Sequence, residues 1–185
     1  MKETLTARRI VVGITGSIAA YKACELIRRL REAGAEVRAV LTEHGRAFIG
    51  EQTLLTLTGQ PVVADLFSTG AHWEPEHIAV ADWAEACLVA PATANIIGKV
   101  AAGIADDALT SLVMAMRCPV VFAPAMNTKM YENPIVQGNI EKLRGLGYHF
   151  VEPESGYLAC GYEGKGRLAD TQALLATVVK LLAKS

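Results

Sequence analysis

Short apolar runs alternate with stretches of helical period along most of this chain. Residues 8–14 form a β-branched, apolar run that ends in Thr15-Gly16-Ser17. From residue 18 to 31 the period becomes helical. Ala19, Ala23, Leu26, Ile27 and Leu30 share one face, and Lys22, Glu25, Arg28, Arg29 and Glu32 occupy the others. Gly34 stops this helix, and residues 35–41 form a second apolar run. That is one strand–helix–strand unit. Residues 46–58 predict one or two short helices that end at Gly59-Gln60-Pro61, and residues 64–76 are rich in turn formers. A third strand is expected over 84–90 and a fourth over 119–123. Between them lie helices over 93–102 and 106–116, separated by Gly103. A helix over 134–146, closed by Gly147, leads to a short fifth strand over 148–151. Residues 152–168 read as a long glycine-rich loop. The last helix covers 171–183, with Leu174, Leu175, Val178, Leu181 and Leu182 facing inward.

Strands that are apolar throughout are buried on both faces, and strands alternating with helices make a parallel sheet. The expected class is therefore α/β. A parallel sheet lies between two layers of helices in a single domain spanning 1–185. At 51% hydrophobic, the 185 residues can bury a substantial core. Charge is balanced, with 18 basic and 19 acidic side chains. No basic field points to nucleic acid, and no basic amphipathic segment points to a membrane. The first residues lack the apolar core of a signal peptide, and no apolar span of about 18 residues follows. A soluble, cytoplasmic protein is expected. Cys24, Cys87, Cys118 and Cys160 are widely spaced and form no Cys-x-x-Cys pair. That argues against a zinc site and against a secreted disulfide framework, so no metal is expected.

In an open parallel sheet, ligands bind outside the carboxyl ends of the strands. Four clusters fall on that edge or beside it. Pro124-Ala125-Met126-Asn127 follows the fourth strand and puts an amide side chain on a tight loop among apolar neighbours, where it can grip one polar group. Gly13-Ile14-Thr15-Gly16-Ser17-Ile18 turns the first strand into a helix. It reads either as an ordinary turn with a serine cap or as a cradle for a mononucleotide phosphate such as that of FMN. Its spacing is neither Gly-x-Gly-x-x-Gly nor a Gly-Lys-Ser/Thr loop, which disfavours a dinucleotide and a nucleoside triphosphate. Pro91-Ala92-Thr93-Ala94-Asn95-Ile96-Ile97-Gly98-Lys99 opens a second helix at the same edge and suits a second polar part of one ligand. Finally, the glycine-rich loop carries Cys160, Lys165 and Arg167 and could close over an anionic substrate, or serve as a plain connector. Among the four histidines, His77 stands out for the short apolar segment that follows it.

Taken in order, five segments resemble the flavin-dependent cysteine decarboxylases over essentially the whole chain. They are Gly16-Ser17-Ile18-Ala19-Ala20-Tyr21-Lys22, His77-Ile78 with Trp83-Ala84, Pro91-Ala92-Thr93-Ala94-Asn95, Pro124-Ala125-Met126-Asn127 with Met130, and Leu158-Ala159-Cys160-Gly161 with Gly164 and Gly166-Arg167. The resemblance implies a flavodoxin-like or Rossmann-like sandwich that binds FMN and forms trimers or dodecamers. It implies FMN contacts from Gly16, Ser17, Ile18, Thr42, Phe48, Thr93, Ala94, Asn95, Ile96 and Ala125. His77 matches the active-site base, Asn127 the residue that binds the substrate carboxylate, and Cys160 the proton donor. Tyr157, Leu158, Ala159, Lys165 and Arg167 match a substrate clamp, although some relatives carry Asp where this chain has Tyr162. The implied reaction converts 4′-phosphopantothenoylcysteine to 4′-phosphopantetheine in coenzyme A biosynthesis. A ligase that makes this substrate is the implied partner, fused or separate. A carboxylate next to a CH2–SH group has no electron sink. Oxidation to a thioaldehyde supplies one, CO2 leaves to give an enethiolate, and hydride and proton then return. Two alternatives are an oxidative decarboxylase of a peptide's C-terminal cysteine and an FMN-binding regulatory subunit without turnover. Cys160 argues against the first, and His77, Asn127 and Cys160 together against the second.

Overall fold

The computed structural model describes residues 4–66, 76–159, 161 and 163–183. Five strands form one parallel sheet: β1 (Arg9–Ile14), β2 (Glu36–Leu41), β3 (Ala86–Ala92), β4 (Val120–Pro124) and β5 (His149–Phe150). Their order is β2-β1-β3-β4-β5. This is the flavodoxin-like order, in which the chain reverses direction across the sheet between β1 and β3.

The pleat sends alternate residues to opposite layers. Ile10, Val12, Ile14, Ala39, Leu41, Leu88 and Ala90 pack beneath α1 (Lys22–Glu32), α3 (Glu51–Thr58) and α9 (Thr171–Leu182). Val11, Val40, Cys87, Val89 and Phe122 pack on the other face, beneath α4 (Glu76–Trp83), α5 (Ala94–Ala102), α6 (Ala108–Ala115) and α8 (Pro134–Gly145). The three-layer parallel architecture expected from the alternation is the one observed. The periodic face of α1 is also as read, with Ala23, Leu26, Ile27 and Leu30 all buried. At the outer edge of β2, Val63 adds a single rung: its amide donates to Ala39 O and its carbonyl accepts from Leu41 N.

Three expectations change. Residues 152–168 are not a plain loop. They hold β6 (Glu154–Tyr157) and β7 (Glu163–Arg167), an antiparallel hairpin. It stands off the main sheet, so it has no buried apolar face to write a period-2 pattern. Part of the segment read as turn-rich begins α4 at Glu76. The tight loop after β4 contains one helical turn, α7 (Thr128–Tyr131), and another short helix, α2 (Glu43–Arg46), follows β2. Both are single turns set by their capping residues, Asn127 and Thr42, rather than by a periodic face.

Candidate functional site

The carboxyl ends of β1, β2, β3 and β4 open onto a cavity of about 860 Å³. Its floor is built by side chains that stitch one strand end to the next. Thr15, almost fully buried, donates through Oγ1 to Pro91 O at 2.7 Å and accepts from Thr93 N at 3.2 Å. Ser17 Oγ donates to Ala125 O at 3.3 Å, and Ala125 N donates to Ala92 O. Thr42 Oγ1 donates to Ile14 O at 3.3 Å and accepts from Gly45 N. Hydroxyls at the ends of β1 and β2 thus tie the loops after β1, β2, β3 and β4 into one rim.

Two helical first turns lie on that rim. Ser17 caps the 3-10 turn Ile18–Tyr21, accepting from Ala19 N, while Ala20 N reaches Ser17 O. Thr93 caps α5, accepting from Ile96 N, and its own amide is held by Thr15. Helix geometry gives the first amides of each turn no acceptor inside the helix. At the first turn this is Ile18, and at the second Ala94 and Asn95; all three residues line the cavity. The rim is therefore a pair of donor sets aimed at one space, which suits a ligand with an anionic end and a second polar end. Gly16, just before Ser17, also lines the cavity. A Cβ at this position would lie 2.6 Å from His44 Cβ, so the glycine is what lets α2 sit against the β1 turn.

Asn127 forms the opposite wall. Its Oδ1 accepts from Lys129 N at 2.9 Å and so caps α7. The hairpin closes over this turn: Met126 N donates to Gly166 O at 3.0 Å. A Cβ on Gly166 would collide with the Met126 carbonyl, and one on Gly164 with the Thr128 hydroxyl. Tyr157, Leu158, Ala159 and Arg167 complete that side. On the α5–α6 side Lys99 Nζ pairs with Asp106 at 2.7 Å and Asp107 at 3.5 Å. The hydrogen bond between them raises the lysine pKa and lowers that of Asp106.

Of the residues singled out in the sequence, Gly16, Ser17, Ile18, Thr42, Thr93, Ala94, Asn95, Ile96, Ala125, Asn127, Tyr157, Leu158, Ala159 and Arg167 all line this cavity. Three others do not. Phe48, just beyond α2, is 45% exposed and outside the cavity lining. Lys165 turns away, with Nζ 2.7 Å from Glu152 Oε2 and 5.2 Å from the centre of the Tyr131 ring. His77 sits in the first turn of α4, a helix anchored in the core by Val80 and Ala81. Cys160 and Tyr162 lie outside the described residues. The sequence reading missed His44, Asp106 and Asp107 as wall residues and held Thr15 and Lys99 only as members of its motifs. Thr15 lay inside a motif already noted, whereas the Lys99–Asp106 pairing joins a helix to the following loop and leaves no periodic trace.

The strand order and the carboxyl-edge cavity define an open α/β protein built to bind a mononucleotide-sized ligand. The Flavoprotein family model matches residues 1–183, and the chain belongs to this family. It is 46% identical over 180 residues to the Coenzyme A biosynthesis bifunctional protein CoaBC of Bacillus subtilis. That match takes in 97% of this chain but 43% of the relative, so the chain spans less than half the length of the curated relatives of this kind. Two solved structures are matched almost end to end. The FMN-dependent cysteine decarboxylase SpaF is 36% identical, with a TM-score of 0.86 over 97% of this chain and 99% of that one. A Cys-to-Ser variant of a PPC decarboxylase, complexed with pantothenoylaminoethenethiol, is 32% identical, with a TM-score of 0.86 over 97% and 100%.

Proposed function

We propose that this chain binds FMN and decarboxylates 4′-phosphopantothenoylcysteine to 4′-phosphopantetheine. The observation that carries the reading is the single cavity that joins two helical donor sets, the Asn127 turn and the hairpin. Support comes from the near-complete match to a PPC decarboxylase and from the coenzyme A role of the bifunctional relatives. The donor set fits the cofactor. Gly16, Ser17, Ile18 and Thr42 would hold the phosphate, and Thr93, Ala94, Asn95, Ile96 and Ala125 the remainder. When bound, FMN supplies an acceptor for the hydride of the carbon bearing the thiol, and its later return. The chain's own residues do the rest. Asn127 presents an amide donor to the substrate carboxylate, and Arg167 adds positive charge at the hairpin side of the cavity. Leu158 and Met126 make part of the wall apolar, which strengthens each polar contact made there. Cys160 is assigned the proton returned to the enethiolate. Phe48 and Lys165 are not retained as ligand contacts.

His77 does not line the cavity of its own chain. For it to act as the base, a neighbouring copy must deliver it, so the reading includes a homo-oligomer, a trimer or an assembly of trimers. Ile18, Tyr21 and Met130, at the cavity mouth and largely exposed, give such an assembly apolar surface to cover. A phosphopantothenate–cysteine ligase as partner and a cytoplasmic location belong to the same proposal.

The test is incubation of the FMN-loaded protein with 4′-phosphopantothenoylcysteine under anaerobic conditions, followed by product mass. Loss of CO2 alone is expected. Loss of CO2 together with two hydrogens would assign the oxidative reaction instead, and an unchanged substrate mass would overturn the decarboxylase reading.

A further inference from the structure

Glu152 stands where the chain leaves the main sheet for the hairpin, and three elements converge on its carboxylate. Tyr131 Oη, at the end of α7, donates to Oε2 at 2.7 Å. Lys165 Nζ, from β7, donates to the same oxygen at 2.7 Å. Arg144, from α8, donates to Oε1. Lys165 also lies over the Tyr131 ring. One end of α7 is therefore fixed by this carboxylate, and the other end is the Asn127 cap. The strand that carries Lys165 is the one pressed against Met126 through Gly166. Both sides of the cavity's upper wall, the Asn127 turn and the hairpin, thus share a single anchoring group.

We propose that Glu152 is a positioning residue that sets the spacing between Asn127 and the Tyr157–Ala159 segment, with Lys165 acting as a strut of that anchor rather than as a ligand of the substrate. The inference rests on the decarboxylase reading for its kinetic consequence and on the geometry alone for its structural one. Misplacement of a binding group by about 1 Å can cost on the order of 100-fold in rate. An anchor with three partners therefore bears on turnover without touching the substrate. Glu152→Gln keeps the shape and removes the charge, and Lys165→Met keeps the stem and removes the cation.

The experiment is a double-mutant cycle on the FMN-loaded enzyme, run with 4′-phosphopantothenoylcysteine and with the analogue lacking its phosphate. Hydrogen exchange is followed on the same proteins. Each single variant should lose about tenfold in kcat/KM, and the double variant little more, because both changes break one unit. Flavin content should be unchanged, Lys165→Arg should restore most of the activity, and the two substrates should suffer alike. Exchange over residues 127–131 and 154–159 should rise in Glu152→Gln while that of β3 stays fixed. Multiplicative losses of about a hundredfold in the double variant, or a Lys165→Met defect confined to the phosphorylated substrate, would make Lys165 a direct ligand and overturn the proposal. If the parent protein fails to turn over either substrate, the decarboxylase reading falls. The exchange result still decides the anchor: unaltered exchange over both segments in Glu152→Gln would refute it.

Discussion

Asn127 caps α7 through its carbonyl oxygen, which makes the amino end of the same amide the one able to donate to an anion. Aspartate is as good a helix cap as asparagine. Asn127→Asp should therefore preserve α7 and the thermal midpoint while replacing the donor with a carboxylate that repels the substrate's own. A fall of at least about 100-fold in kcat/KM is expected, the scale seen when a single donor is removed from an anion site. A near-normal steady-state rate would take Asn127 out of the substrate site. Thr15 poses the opposite case, a residue that acts only inside the protein. Its hydroxyl serves the Pro91 carbonyl and the Thr93 amide at once, in a buried setting. Thr15→Val leaves both unpaired, at about 1–3 kcal/mol for a buried group that loses its partner. Chemical denaturation should show that loss. Fluorescence titration should show weaker flavin binding as well, because Thr93 loses its fixed position.

At the scale of elements, the hairpin differs from everything else in the fold because polar contacts and close-fitting glycines hold it in place of an apolar face. Its main ionic anchor is sensitive to acid. Burial alone would raise the Glu152 carboxyl, but the hydrogen bonds from Lys165, Tyr131 and Arg144 outweigh it and hold the group at about 2, against an ordinary 4.5. A depressed carboxyl adds stability that is complete above its unfolded pKa and lost as pH falls through the folded one. The hairpin should therefore be fully docked above about pH 4.5 and loosen between there and about pH 2. Hydrogen exchange of residues 154–157, compared between wild type and Glu152→Gln across that range, should show the difference between the proteins shrinking as pH falls. The same contrast explains what the sequence could and could not reveal. Runs such as Ile10–Ile14 and Ala86–Ala90 are apolar at every position because both faces are buried, and they announce a parallel strand unaided. Gly16-Ser17 and Thr93 mark the ligand edge because capping and close approach demand those residue types. Glu154–Tyr157 and Glu163–Arg167 bury too little to carry a pattern. The partners of Glu152 come from three separate elements, which no local spacing encodes. A cation in a glycine-rich loop reads as a candidate ligand for an anion, and the pairing of Lys165 with Glu152, thirteen residues away, leaves no local signal beside it.

Across the whole molecule, the sheet supplies one rim of the cavity and the hairpin the facing wall. The two are joined at the Asn127 turn, which belongs to both. The sheet also has two outer margins. On the β5 side the margin is only two residues long. On the β2 side the strand is six residues long with four of them buried, and Val63 takes one of its amides and one of its carbonyls. Exposed strand margins are where chains recruit one another into extended, insoluble stacks. Brevity at one margin and a borrowed rung at the other leave little template for such growth. Among the described residues, the strand that is richest in β-branched side chains, β1, lies inside the sheet and not along an open edge.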